Sequence, residues 1–198
     1  MQTTTLSRAT TAAVTGGIAW VALALTLGVS GVLVAARPPA PQILILSITA
    51  AAIWITSRGA LRELVNTIPL RALVAVHAVR FVGIVFLALS AQGALSPAFA
   101  TPAGWGDIAV AVSALGLVAM GTPTTRMRRG LYLGWNVFAT LDLMVAVGSA
   151  TLVALSGDVP GLAPLLRAPL VLVPTVLVPL LFASHVIIFR RLRQSNVT

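Results

Sequence analysis

Six apolar stretches, each at or near the length of a bilayer crossing, govern what this chain can become. They run over residues 11–36, 41–56, 72–95, 105–121, 131–155 and 169–189, where a helical crossing needs about 20 mostly apolar residues. In lipid every backbone amide and carbonyl must bond within its own segment, so such stretches fold as helices. The breaks between them are chemically sound, because Arg37-Pro-Pro-Ala-Pro41, Ser96-Pro97 and Gly157-Asp-Val-Pro-Gly161 all stop a helix. The second and fourth stretches are short, and the second can continue through Arg58-Gly-Ala-Leu-Arg-Glu63 as an amphipathic turn in the interface. The expectation is an all-α, six-helix membrane bundle forming a single transmembrane domain over residues 1–198. The first stretch reads as a retained helix, since its apolar run is longer than the roughly 7–15 residues of a cleaved signal's core.

Composition closes the alternatives. A soluble domain carries about 25% charged residues, whereas this chain has 9%, with 58% hydrophobic. That excludes a soluble globular enzyme and a disordered chain. With no Cys there is no disulfide, thiolate zinc site, iron–sulfur cluster or Cys nucleophile to consider, and no metal site is expected from the sparse acids and histidines.

All 13 basic residues are arginines, and against four acids they leave a net charge of +9. They punctuate the apolar runs, which is the pattern of a topology signal rather than of nucleic-acid binding. Ten of them, Arg8, Arg58, Arg62, Arg71, Arg126, Arg128, Arg129, Arg190, Arg191 and Arg193, fall on one side of a six-span arrangement. Only Arg37 and Arg167 fall on the other. The positive-inside rule then places both termini in the cytoplasm.

Arg80 stands alone inside the third span. It lies nine residues beyond Arg71, roughly 13 Å into the membrane at 1.5 Å per residue. Asp142 enters the fifth span from the same side and reaches roughly 16 Å by the same rise. A lone charge at that depth costs at least ~2.5 kcal/mol, so the two should pair. Such a pair either fixes helix register or lines a polar-substrate, anion or proton site. His77 is one turn before Arg80, His185 lies five residues before Arg190, and Asn136 sits on the fifth span with Tyr132 just below it. Counting places His77, His185 and Asn136 in one layer. His77, Arg80, Asn136, Asp142 and His185 are therefore the candidate buried polar or substrate site, and no catalytic residue is assigned.

Two alternatives attach to these residues. His77 and His185 on separate helices suit the axial ligands of a b-type haem, with Arg71, Arg80 or Arg190 for the propionates; the plainer reading is a pair of core histidines hydrogen-bonded to neighbours such as Asn136. Gly104-Trp-Gly-Asp107 matches the GxGD signature of intramembrane aspartyl peptidases, with Asp142 as a second acid. The chain order of the two acids is reversed from that pattern, however, and counting separates them by roughly 10 Å in depth. Asp107 instead reads as an N-cap acid after a turn at Thr101-Pro-Ala-Gly104.

Small residues mark helix contacts: Gly106, Ala109, Ser113 and Gly116 on the fourth span, and Trp135, Ala139, Asp142, Ala146 and Ser149 on the fifth. Pro169, Pro174 and Pro179 predict a kinked last span. The segments Pro102-Ala-Gly-Trp-Gly-Asp-Ile108, Trp135-Asn-Val-Phe-Ala-Thr-Leu-Asp-Leu143 and Pro174-Thr-Val-Leu-Val-Pro179 followed by His185 resemble an uncharacterised family of bacterial multi-pass membrane proteins. The likeness covers about the last two thirds of the chain. It implies a bacterial inner membrane and carries over no activity. Small-molecule or proton-linked binding and transport is the leading expectation, against a haem redox protein or an accessory subunit; a homo-oligomer and a partner membrane subunit both stay open.

Overall fold

The structure, a computed structural model, describes residues 2–194, and every regular element among them is helical. They form two compact units, one made of residues up to 68 together with 163–183, the other of 69–162 together with 184 onward.

The first unit opens with α1, Gln2–Ser30. It ends where Gly31 turns left-handed at φ 71°, and the short α2, Val32–Ala35, follows. Next comes α3, Ala40–Thr56, with Pro41 in its first turn, where its missing N–H is harmless. The chain then bends by 80° into α4, Gly59–Thr67. Leu61, Leu64, Val65 and Ile68 are half-buried while Arg62, Glu63, Asn66 and Thr67 are exposed. That is the amphipathic extension expected after the second stretch. Gly28 on α1 approaches residues 168–171 so closely that an added Cβ would stand 2.6 Å from Val171 Cγ1.

In the second unit, α5, Leu70–Ala75, passes into a 3₁₀ segment, Val76–Val82, and then into α6, Gly83–Ala91. Residues three apart eclipse one another in 3₁₀ geometry. Buried residues of this span repeat at three from Val74 through His77, Arg80 and Gly83 to Phe86, with Leu73 buried beside the first. His77 and Arg80 thus share one inward edge. The next helix, α7, Pro97–Ala119, begins with Pro97 after Ser96, the start that a fixed φ favours. It continues through Pro102, which neighbouring helices can accommodate in a membrane-type helix.

The long α8, Arg126–Leu155, follows, and its N-terminus is capped by Thr125, whose Oγ1 accepts from the Arg128 N–H at 3.2 Å. A 3₁₀ turn, Pro160–Leu166, and a π turn, Val173–Leu177, lead to α9, Val178–Gln194. The three prolines therefore do different things. Pro169 stands before the helical run, Pro174 in the π turn and Pro179 in the first turn of α9.

Among the described residues five helical runs are long and apolar enough to cross a membrane: Arg8–Ser30, Leu70–Ala91, Pro97–Ala119, Arg126–Leu155 and Val173–Gln194. The bent pair Ala40–Thr56 and Gly59–Thr67 makes a sixth if it counts as one span. The boundary difference that bears on the site is at the fourth span. It starts eight residues earlier than expected, at Pro97 instead of 105, because Thr101-Pro-Ala-Gly104 is helical and not a turn.

Candidate functional site

Every side chain of the site belongs to the second unit. The 3₁₀ segment carries His77 and Arg80, α7 carries Asp107, α8 carries Trp135, Asn136 and Asp142, and α9 carries Ser184 and His185.

Arg80 is the centre of the charged layer. Its side chain is 1% exposed, and Nε donates to Asp107 Oδ1 at 2.5 Å. Nη2 donates to Asp142 Oδ2, and Nη1 donates to the Ala139 carbonyl at 3.1 Å. One guanidinium thus ties its own span to α7 and α8, its planar fork serving acceptors on both helices. The expected Arg80–Asp142 pair is present. Asp107 is the difference: it is no N-cap acid but lies ten residues inside α7, buried, on the same guanidinium. The roughly 10 Å depth gap expected between the two acids disappears, because the early start of α7 moves Asp107 from the helix end to its middle.

Two glycines make this approach possible. A Cβ on Gly106 would run into the Asp142 carboxylate, and one on Gly83 would stand 2.5 Å from the Gly104 carbonyl oxygen and 2.8 Å from Asp107 Cβ. The small stripe on α7 and the Asp142 stripe on α8 therefore meet through Gly106. They meet again where Trp135 Nε1 donates to Ser113 Oγ at 3.1 Å.

The imidazole layer lies one turn away. The rings of His77 and His185 have centroids 4.4 Å apart at 40°, and Trp135 packs edge-on to His77 at 5.1 Å. His77 Nε2 and Ser184 Oγ are 2.9 Å apart. Asn136 holds His185 twice: its Nδ2 donates to the His185 carbonyl at 3.2 Å, and its Oδ1 lies 2.8 Å from His185 Nδ1. His77, Asn136 and His185 are fully or almost fully buried. Tyr132, also on α8, lies apart from this layer, donating to the Gly121 carbonyl at 2.8 Å with the Leu117 carbonyl at 3.1 Å.

All five residues singled out from the sequence are thus brought together, and Asp107, Ser184 and Trp135 join them. The sequence did signal Asp107: Ser96-Pro97 is a helix start, and an acid ten residues beyond it needs a partner as much as Asp142 does. Ser184 left no signal, since a Ser beside a His has no periodicity of its own.

The geometry does not fit axial haem. With metal–nitrogen bonds of about 2 Å, imidazoles on opposite sides of one ion have centroids roughly 6 Å apart. Here they are 4.4 Å apart. Two of the arginines offered to the propionates are also engaged elsewhere, Arg71 donating to the Val118 carbonyl at 2.7 Å and Arg80 to the two aspartates. Among the described residues no group of three or more His, Asp or Glu gathers as a metal cluster.

A family model for a domain of unknown function, DUF8737, matches residues 38–193. No curated protein and no solved structure matches the chain.

Proposed function

Since the chain belongs to the DUF8737 family, whose description assigns no activity, its own residues must carry the reading, and we propose that it is an integral membrane protein for small-molecule or proton-linked binding and transport. His77, Arg80, Asn136, Asp142 and His185 are the proposed site, with Asp107 and Ser184 added to it. One observation carries the proposal: a buried guanidinium held by a buried carboxylate and a half-buried one, within spans long enough to cross a bilayer. Ionisable groups at that depth are costly and belong by default to substrate, ion or proton pathways. The π turn at Val173–Leu177, with Pro174 inside it, adds support, since such interruptions recur at functional sites and in transporter helices.

The proposed setting is a bacterial inner membrane, with the chain as one transmembrane domain and both termini cytoplasmic. The ten-to-two arginine distribution supports it when Ala40–Thr56 crosses alone and Gly59–Thr67, which carries Arg62, lies along the cytoplasmic interface. Reporter fusions after Arg58, Arg128 and Arg193 should then report cytoplasm, and fusions within residues 96–104 and 156–164 the outside; one inverted loop overturns the six-span arrangement.

The functional test is proton flux into proteoliposomes holding a trapped pH-sensitive dye. Wild-type protein should relax an imposed gradient faster than protein-free vesicles, and Arg80→Gln should return the rate to theirs. A wild-type rate equal to that of empty vesicles would favour an accessory subunit held together by its polar layer.

A further inference from the structure

The two imidazoles share a property that the rest of their layer lacks. Each has one ring nitrogen held, while the other, His77 Nδ1 or His185 Nε2, is buried with no hydrogen-bonding partner among the described residues. Buried polar atoms left this way call for an explanation, often an ion or a water.

The proton on His185 can be placed from its neighbour. Asn136 Nδ2 donates to the His185 carbonyl, so Asn136 Oδ1 faces His185 Nδ1 and can only accept. Nδ1 therefore carries the proton, and Nε2 is a bare lone pair. The Ser184 hydroxyl accepts from His77 Nε2 as readily as it donates. When it accepts, His77 Nδ1 is a second bare lone pair.

We propose that His77 Nδ1 and His185 Nε2 are ligands for a late first-row divalent cation, of the Ni²⁺ or Cu²⁺ kind, carried by this site as cargo. The inference rests on the binding and transport reading above and names its substrate class. Metal-ligating histidines almost always donate their other ring N–H to a protein acceptor. Here Ser184 and Asn136 stand in those places.

The ring spacing agrees. Two imidazoles on neighbouring corners of one ion, at a right angle and with bonds of about 2 Å, have centroids roughly 4.5 Å apart, against the observed 4.4 Å. Right-angle corners belong to square-planar and octahedral ions, and imidazole suits Ni²⁺ and Cu²⁺. Two protein donors leave the other positions to water or a carried ligand, which suits an ion in passage better than a resident cofactor.

The test uses full-length protein in detergent, purified without a histidine tag, stripped with a chelator and titrated with Cu²⁺, the tightest-binding ion of the series. The chain has two histidines, so any imidazole signature in pulsed EPR comes from them. The expected result is one Cu²⁺ per chain showing the remote-nitrogen modulation of two imidazoles. His185→Gln should leave one. Asn136→Ala should keep both and weaken affinity about 10- to 100-fold, as loss of an outer-shell partner does. Folded wild-type protein that binds no Cu²⁺ saturably, or binds it without imidazole modulation, overturns the inference. Because that outcome is read on the wild type, a misfolded variant cannot conceal it. Proton flux that survives such a result would leave the transport reading standing and remove only the metal.

Discussion

The charged layer and the imidazole layer sit one helical turn apart and solve the problem of buried polarity differently. Around Arg80 each guanidinium nitrogen has its acceptor, on Asp107, Asp142 or the Ala139 carbonyl. Around His77 and His185 only half of the ring nitrogens are engaged. A network engaged at every nitrogen is expensive to open, because removing one member leaves the others charged and dry. One engaged at only half of its nitrogens keeps lone pairs ready for something else. The comparison assigns the larger share of stability to the first layer and the open ligand positions to the second, and mutations can break that assignment.

Arg80→Leu should have the largest effect. It leaves the buried Asp107 and half-buried Asp142 carboxylates without their cation, and losing one partner of a buried ion pair costs about 3–5 kcal/mol. Reversible unfolding in bicelles should show the loss; a variant as stable as wild type would mean that the charged layer holds nothing.

Gly106→Val comes next. Its side chain would enter the space of the Asp142 carboxylate, and overpacking of this kind costs about 2–3 kcal/mol. The same unfolding assay reads it, and Gly134→Val, where a Cβ meets nothing within 4 Å, serves as the control. Equal effects at both positions would show that α7 and α8 do not meet at Gly106.

Asn136→Leu moves to the other layer. It strips His185 Nδ1 and the His185 carbonyl of their partner, which costs about 1–2 kcal/mol for buried groups left unpaired. Its stability loss should be smaller than that of Arg80→Leu. A loss as large would make the imidazole layer structural as well and erase the contrast between the two.

The contrast was only partly legible in the amino-acid sequence. Arg80, Asp142, His77, Asn136 and His185 were found by counting residues inward from arginines on one side, which works because helices of equal rise reach equal depths. Asp107 was misplaced by a local rule. Pro102 and Gly104 look like a turn, but helix–helix packing around Gly83 and Gly106 keeps α7 continuous through them. The 3₁₀ segment was not visible either, since a spacing of three between His77 and Arg80 suits an α-helix too. Only the longer run Val74, His77, Arg80, Gly83 and Phe86 separates the two geometries. The unpartnered nitrogens depend on which ring edge meets Asn136 and Ser184, and no residue pattern encodes that.

Ser113→Ala should have the smallest effect. It removes the acceptor of Trp135 Nε1 and should cost about 0.5–1 kcal/mol, the ordinary worth of one hydrogen bond. If Trp135 also steadies the His77 ring against which it packs, the same variant will weaken Cu²⁺ binding more than it weakens the fold.

The central claim is that one guanidinium joins the spans of the second unit through its carboxylates, and a double-mutant cycle on Arg80→Gln and Asp142→Asn tests it most directly. Unfolding free energies of wild type, both single variants and the double variant, measured in the same bicelles, isolate the pairwise interaction. A contact of this kind predicts a coupling of at least about 1 kcal/mol, with the double variant recovering part of what the singles lose. Losses that add to within about 0.5 kcal/mol would contradict the pairing, and with it the account of the site.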